Sequence, residues 1–303
     1  MEQQADYEAY DVSIMSWNVM GQLENIVDDG SCDRFLHPYD IIGMVHTGIY
    51  DVDAGPPVIS SAHECIFMRN RPLSSMSGGT TCFVRKHLKK HVTVVADKIE
   101  HGVLWVRIGC PRYPERGLFV GFVYLPPQAS SYYTQAGGIS SDEHWLMLQQ
   151  DVMSFQSKGQ VVLMGDFNAR CGWLNEWDLL DPHIQRARET HPSIKNRRSK
   201  DLTVNRMGKS LISMCEKNGM YILNGRSSND KHGCFSFHHL SNQHGRAGRS
   251  VIDYALVSDD LFVSGIESKI DFQIIPTDVC PQRRCGGRFD HSPIVTTVGW
   301  DVV

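Results

Sequence analysis

Several polar residues of this chain stand in, or one step beyond, its most apolar runs, where an unpaired side chain would cost about 1–3 kcal/mol. "SWNV" gives Asn18, "FVYLPP" gives Tyr124, "LMGDFN" gives Asp166 and Asn168, "VIDYAL" gives Asp253, and "FDHSPI" gives Asp290 and His291. Residues i and i+2 of an extended segment face the same side, so Asp166 and Asn168 can present a carboxylate and an amide to one substrate; "GDFN" can equally close an Asx turn. Asp253 is the hardest to explain structurally, because a lone acid within a strand asks for a cation or a histidine. Asn18 and Tyr124 also read as a strand-end turn former and a core tyrosine, and Asp290-His291 as a polar strand start. Gathered at one rim, these groups would satisfy each other. A further polar residue, His46, ends the apolar run of "YDIIGMVHTGIYD", as a metal ligand, a substituted acid or the mark of a site that no longer works.

The elements that must position these groups are strands. "VSIMSWNV", "DIIGMV", "TTCFVRK", "VLWVRIG", "LFVGFVYL", "QVVLMGDF", "SVIDYALV" and "SPIVTTVGW" are rich in Val, Ile and aromatics, and several alternate with period two. Helical patterns intervene over 143 to 158 and 205 to 219, the second closed by Asn218-Gly219. With no repeat and no low-complexity linker, this order predicts one α/β domain over 10–303 after a short N-terminal extension, residues 1–9: an α/β sandwich with two central sheets.

Composition narrows the class further. The 303 residues are 41% hydrophobic and 21% charged, which is ordinary for a globular chain. No apolar run reaches the roughly 18 residues that cross a bilayer, and the acidic start "MEQQADYEAYD" is unlike a signal peptide. Together with nine scattered cysteines, this predicts an intracellular protein, nuclear or cytoplasmic, without a membrane partner. Cys280 and Cys285 lack the second pair that a zinc site would need. The net charge of −4 conceals an asymmetry: residues 1–66 hold twelve acids and one base, so the remaining 237 carry +7. The densest basic segment, residues 186–206, contains Arg197, Arg198 and Lys200 and reads either as a solvated face or as a phosphate-contacting loop.

Taken in order, "SWNV … DIIGMVHT … FVYLPP … GDFNA … VIDYALVS … FDHSPI" resembles the endonuclease/exonuclease/phosphatase superfamily over residues 10–300. "GDFNARCG", "RRSKDLTVNRMGKSLISMCEKNGMYILNGR" and "GCFSF" resemble the endonuclease domains of LINE-type retrotransposons. The resemblance implies a four-layer sandwich of two β-sheets with helices outside, and Mg²⁺-dependent phosphodiester cleavage that nicks DNA. By the same resemblance Asn18 helps hold metal and phosphate, and Tyr124 contacts the scissile phosphate. Asp166 orients or deprotonates the attacking water beside Asn168. Asp253 orients His291, which stabilises the phosphoryl oxygens, and Asp290 lies near the metal. Ser236, Arg197, Arg198 and Lys200 are expected on the nucleic acid.

The pattern is departed from twice. Where the family implies a metal-binding glutamate, this chain has His46, an imidazole suited to Zn²⁺ or Mn²⁺ more than to Mg²⁺. Where the family usually has Ser before Asp-His, this chain has Phe289. Two readings follow: a metal-dependent nuclease acting on DNA, or a repurposed inactive fold that needs no metal and binds protein or RNA partners in a larger assembly. A phosphatase of small molecules or lipids fits the fold but not the "RRSKD…ILNGR" segment.

Overall fold

Two six-stranded sheets lie face to face. The computed structural model describes residues 11–27, 30–49, 55–70, 78–98, 102–109, 116–134, 139–177, 195–239, 248–262, 270–281 and 289–299; the N-terminal extension, Cys285 and basic residues 186–194 lie outside them. Strands are numbered in chain order. The first sheet runs, in space, β13 (Asp271–Ile274), β14 (Ile294–Gly299), β1 (Asp11–Asn18), β2 (Ile41–Val45), β4 (Thr80–Arg85), β3 (His63–Arg69). The second runs β5 (Val92–Lys98), β6 (Val103–Gly109), β7 (Gly117–Tyr124), β8 (Gln160–Asp166), β12 (Asp253–Ser258), β9 (Met220–Ile222). A separate hairpin pairs β10 (Phe237–His239) with β11 (Gly248–Ser250). Most neighbours in each sheet are antiparallel, with β1–β2 and β7–β8 parallel.

Period-two alternation sorts each strand between two layers. Val12 and Ile14 of β1 meet Val120 and Phe122 of β7 and Val162 and Met164 of β8 in the core between the sheets. The alternate residues Met15 and Trp17 face outward, against Leu23 and Ile26 of α1 (Leu23–Val27) and Cys32 and Leu36 of α2 (Ser31–Leu36). On the second sheet, Phe119, Val161, Leu163 and Tyr254 face outward under α3 (Ser141–Gln156) and α4 (Arg206–Asn218). Two sheets between two helical layers make the predicted four-layer sandwich. The helices start where their caps allow. Ser140 and Glu143 form a capping box on α3, Asn205 caps α4, and Gly219 ends α4 at φ 56°.

All eight predicted strands form. The polar groups come from both kinds of strand end: Asn18, Tyr124 and Asp166 close β1, β7 and β8, whereas Asp253 is the first residue of β12 and His291 precedes β14. Both strands run antiparallel to their site-bearing neighbours, so their starting ends reach the same rim as the C-terminal ends of β1, β7 and β8.

Gly43 of β2 sets how closely the sheets approach, because a Cβ there would collide with the ring of Phe122. Gly43→Ala is expected to destabilise the protein by about 1–3 kcal/mol, the usual effect of overpacking. Urea denaturation will measure it, with Gly43→Ala/Phe122→Leu recovering part of the loss.

Candidate active site

Parity explains where the polar residues meet. Asn18, Tyr124, Asp166 and Asp253 continue the inward-facing series of their strands, one step beyond the apolar core residues Val120, Phe122, Met164 and Ala255. In the second sheet Tyr124 and Asp253 both pair in register with Asp166, so the three stand level across adjacent strands.

Asp166 is the hub. Its Oδ1 accepts the Asn168 amide at 2.8 Å, and its Oδ2 accepts Asn18 Nδ2 at 2.8 Å and Asn168 Nδ2 at 3.2 Å. The Asn18 side chain is oriented by its other end, where Oδ1 accepts the Met20 N–H at 2.9 Å; the nitrogen therefore faces Asp166. Asn168 adopts φ 47°, a left-handed turn that Asn tolerates, and its Nδ2 also reaches the Leu125 carbonyl at 2.8 Å. His291 completes the group: Nδ1 lies 3.0 Å from Asp253 Oδ2, and Nε2 lies 3.4 Å from Asn18 Nδ2 and 4.0 Å from Asp166 Oδ2.

Asn18, Asp166, Asp253 and His291 are buried, and burial bears on the charge of Asp166 and His291. Burial and the neighbouring Asp253 push the Asp166 carboxyl up to about 7, despite its hydrogen bonds. Burial opposes the His291 imidazolium, but Asp253 and then Asp166 outweigh it and raise His291 to about 9. Above about pH 7, where Asp166 gives up its proton, the group gains a negative charge that a bound cation would offset. Asp166, Asp253 and His291 also offer ligand atoms all within 4.8 Å of one another, so the group fits a divalent cation in both charge and spacing.

The remaining predicted residues take other places. His46 is half-buried at φ 51°, which breaks the alternation of β2, and its ring centroid lies 5.2 Å from that of Tyr124. Among the described residues neither His46 nor Asp290 belongs to a group of three donors able to hold a metal. Phe289 is buried outside the site, edge-to-face on Trp17 at 4.7 Å, and the Trp17 indole N–H donates to the His291 carbonyl at 3.1 Å. Ser236 is buried and accepts the Ile252 and Asp253 amides on its hydroxyl at 3.1 and 3.0 Å, so it fixes the start of β12. Arg197 is buried as well, and its Nη1 donates to the Gly172 and Leu174 carbonyls. Arg198 and Lys200 are exposed.

Several positioning residues escape a sequence reading. Asn205 ties the Asn168 loop to α4, since its Nδ2 donates to the Asn168 carbonyl and its Oδ1 accepts the Arg170 amide. Asp201 accepts Arg170 in a two-pronged ion pair and takes the Val251 N–H as well. Asn224, wholly buried, pairs with the Asp253 carbonyl and the Ala255 N–H. The available signals were an acid, Asp201, inside a basic run and an amide ending the apolar "MYILN".

The charge states predict a pH dependence. The value of His291 is raised on folding, so the stability it contributes is complete below about 6.5 and is lost as pH rises through about 9. Asp166 is raised too, so its contribution has already been lost between about 3.8 and about 7. In chelator, the free energy of urea unfolding is therefore expected to fall between pH 6.5 and 9, and Asp253→Asn should shrink that fall. A wild-type profile flat across this window would contradict the His291–Asp253 assignment.

Comparison with known proteins agrees with this architecture. The model of the endonuclease/exonuclease/phosphatase family matches residues 15–278. The fold is similar to the endonuclease domain of TRAS1, a telomere-specific non-LTR retrotransposon, at 11% identity and TM-score 0.58, covering 95% of this chain and 98% of that one. It is similar to a 3'-5' exonuclease, NExo, from Neisseria meningitidis at 15% identity and TM-score 0.58, covering 95% and 100%. The Xenopus laevis APE2 catalytic domain matches at 16% identity and TM-score 0.62, covering 95% and 93%. A search of curated protein sequences gives no match. With a family model spanning most of its length and a polar cluster built at the rim between two sheets, this chain belongs to the endonuclease/exonuclease/phosphatase family.

Proposed function

We propose that this protein is a divalent-metal-dependent phosphodiesterase that nicks DNA, of the kind carried by non-LTR retrotransposons. The observation that carries the reading is the buried group in which His291 bonds Asp253 and Asn18 donates to Asp166, so that the two sheets meet through polar residues at one rim. The similarity to the TRAS1 endonuclease domain and the "GDFNARCG" and "GCFSF" motifs support the retrotransposon assignment.

Each group has work that its environment suits. Hydrolysis forms a bond from water oxygen to phosphorus and breaks the opposite P–O bond. Asp166, held near neutrality and oriented by Asn18 and Asn168, takes the proton of the attacking water. His291, kept cationic by Asp253, stabilises the charge that grows on the phosphoryl oxygens. Tyr124, level with Asp166, contacts the phosphate. A bound divalent cation would add charge neutralisation at those oxygens, held by the acids of the Asp166, Asp253, His291 group. Exposed Arg198 and Lys200 provide phosphate contacts on the flank, while Ser236 and Arg197 serve from inside by holding β12 and the 172–174 loop.

A specific observation favours a second reading, an inactive fold kept for binding. His46 stands where the family pattern has glutamate and joins no donor cluster among the described residues. Plasmid nicking with Mg²⁺, Mn²⁺ and Zn²⁺ separates the two. The nuclease reading expects nicking by the native chain, a loss of about 10²–10³ in rate for Asp166→Ala, and a gain with Mg²⁺ for His46→Glu. Inactivity of the native chain with every metal, reversed by His46→Glu, would establish the inactive reading.

A further inference from the structure

The opposite end of the sandwich collects residues of another kind. β4 runs from Thr80, level with Val45 at the site end, to Arg85 at the far end, and a 3-10 turn over Lys86–His91 then carries the chain into the second sheet. That turn reads KHLKKH and contains no acid, and Lys86, His87, Lys89 and Lys90 are exposed. The basic character continues across the strand ends of the second sheet. The His91 carbonyl lies against Gly109, Gly109 pairs with Gly117, and Gly117 abuts Gly159. Exposed Arg116 and Lys158 flank the last two positions. At about 4.8 Å per strand, this row from β5 to β8 is about 15 Å long.

Among the described residues the acids beside these cations are few. Asp40 is engaged by Arg85 at 3.0 Å and Glu64 by Lys89, while Asp259 and Asp260 stand one strand further, after β12. Among the described residues Lys86, Lys90 and Arg116 have no carboxylate partner. The chain as a whole carries −4, so general attraction of a polyanion is not expected from net charge, and what counts is where the cations are placed. Among the described residues the exposed tryptophan, Trp173, follows β8 at the site end, and none of them gives this face the tryptophan anchor of a membrane-binding surface.

We propose that this far end is a second nucleic-acid surface, which holds phosphodiester backbone through Lys86, Lys90, Arg116 and Lys158 independently of the site around Asp166. Exposed, flexible cations without buried polar partners read charge rather than bases. The binding is therefore indifferent to sequence and steeply dependent on salt. A chain with both surfaces can stay on nucleic acid while its site is empty.

The test measures binding rather than cleavage. A labelled single-stranded oligonucleotide of about eight residues is titrated in chelator into the wild type and into Lys86→Ala/Lys90→Ala/Arg116→Ala/Lys158→Ala. At low salt the variant is expected to lose at least about tenfold in affinity. With four phosphate contacts removed, its slope of log K against log salt should fall by about 3. Lys86→Gln/Lys90→Gln, confined to the exposed turn, should give roughly half that change without altering the melting temperature, which separates lost contacts from lost folding. In the wild type, added oligonucleotide should protect the amides of 86–91 from hydrogen exchange. Unchanged affinity and slope in both variants would overturn the proposal, as would capture of phosphatidylserine vesicles without any oligonucleotide binding. Plasmid nicking by the same variants reports on the site around Asp166 separately.

Discussion

Asp166 and Asp253 stand side by side, in register on neighbouring strands, both facing the space between the sheets. Two buried acids at one level repel each other, and neither can reach bulk water. The arrangement holds because the first sheet supplies what the second lacks: Asn18 from the end of β1 and His291 from the approach to β14. The alignment of the sheets at this end is thus fixed by hydrogen bonds as well as by apolar packing. Trp17 and Phe289 on the outer face, and Ser236 and Asn224 beside β12, hold the backbones of the partners.

The parts of the fold that were legible in the sequence share a physical property. The eight strands read from apolar runs are the four interior strands of each sheet, buried on both sides and so continuous in Val, Ile and Leu. Within the two sheets the four that went unread, β3, β5, β9 and β13, are the four edges, and the separate β10–β11 hairpin went unread as well. β9 and β13 are short, and β3 and β5 each carry a register shift, at Cys65/Phe67 and at Val94/Ala96, which breaks the alternation a reader relies on. Bulged edges with exposed Val94 and Val95 look like loops in one dimension.

The site shows the same division. Polar residues that interrupt apolar strands were visible because burial makes them anomalous, and Asn18, Asp166, Asp253 and His291 do meet. Residues in the basic stretch were read as surface, yet Arg197 and Asp201 lie inside, bonded to loop carbonyls and to Arg170. Composition cannot tell a cation that faces water from one that braces a loop, since both occur in polar segments between strands. The two ends of the molecule accordingly use charge in different ways: at one end few groups, buried and bonded at short range; at the other many, solvated and additive.

The corner that carries His46 has a kinetic consequence. Met20, Gly21, His46 and Gly48 all adopt left-handed backbone, and the turns they form are laced together from Val19 to Val45, from Gly21 to His46 and from Leu23 to Thr47. Gly48 packs so closely on Gly21 that a Cβ there would strike the Gly21 backbone. Neither turn can swing alone. Rearranging position 46 breaks the Gly21–His46 hydrogen bond and disturbs the two beside it, so it belongs with cooperative local unfolding rather than with loop motion. A replacement side chain at 46 inherits a backbone already set.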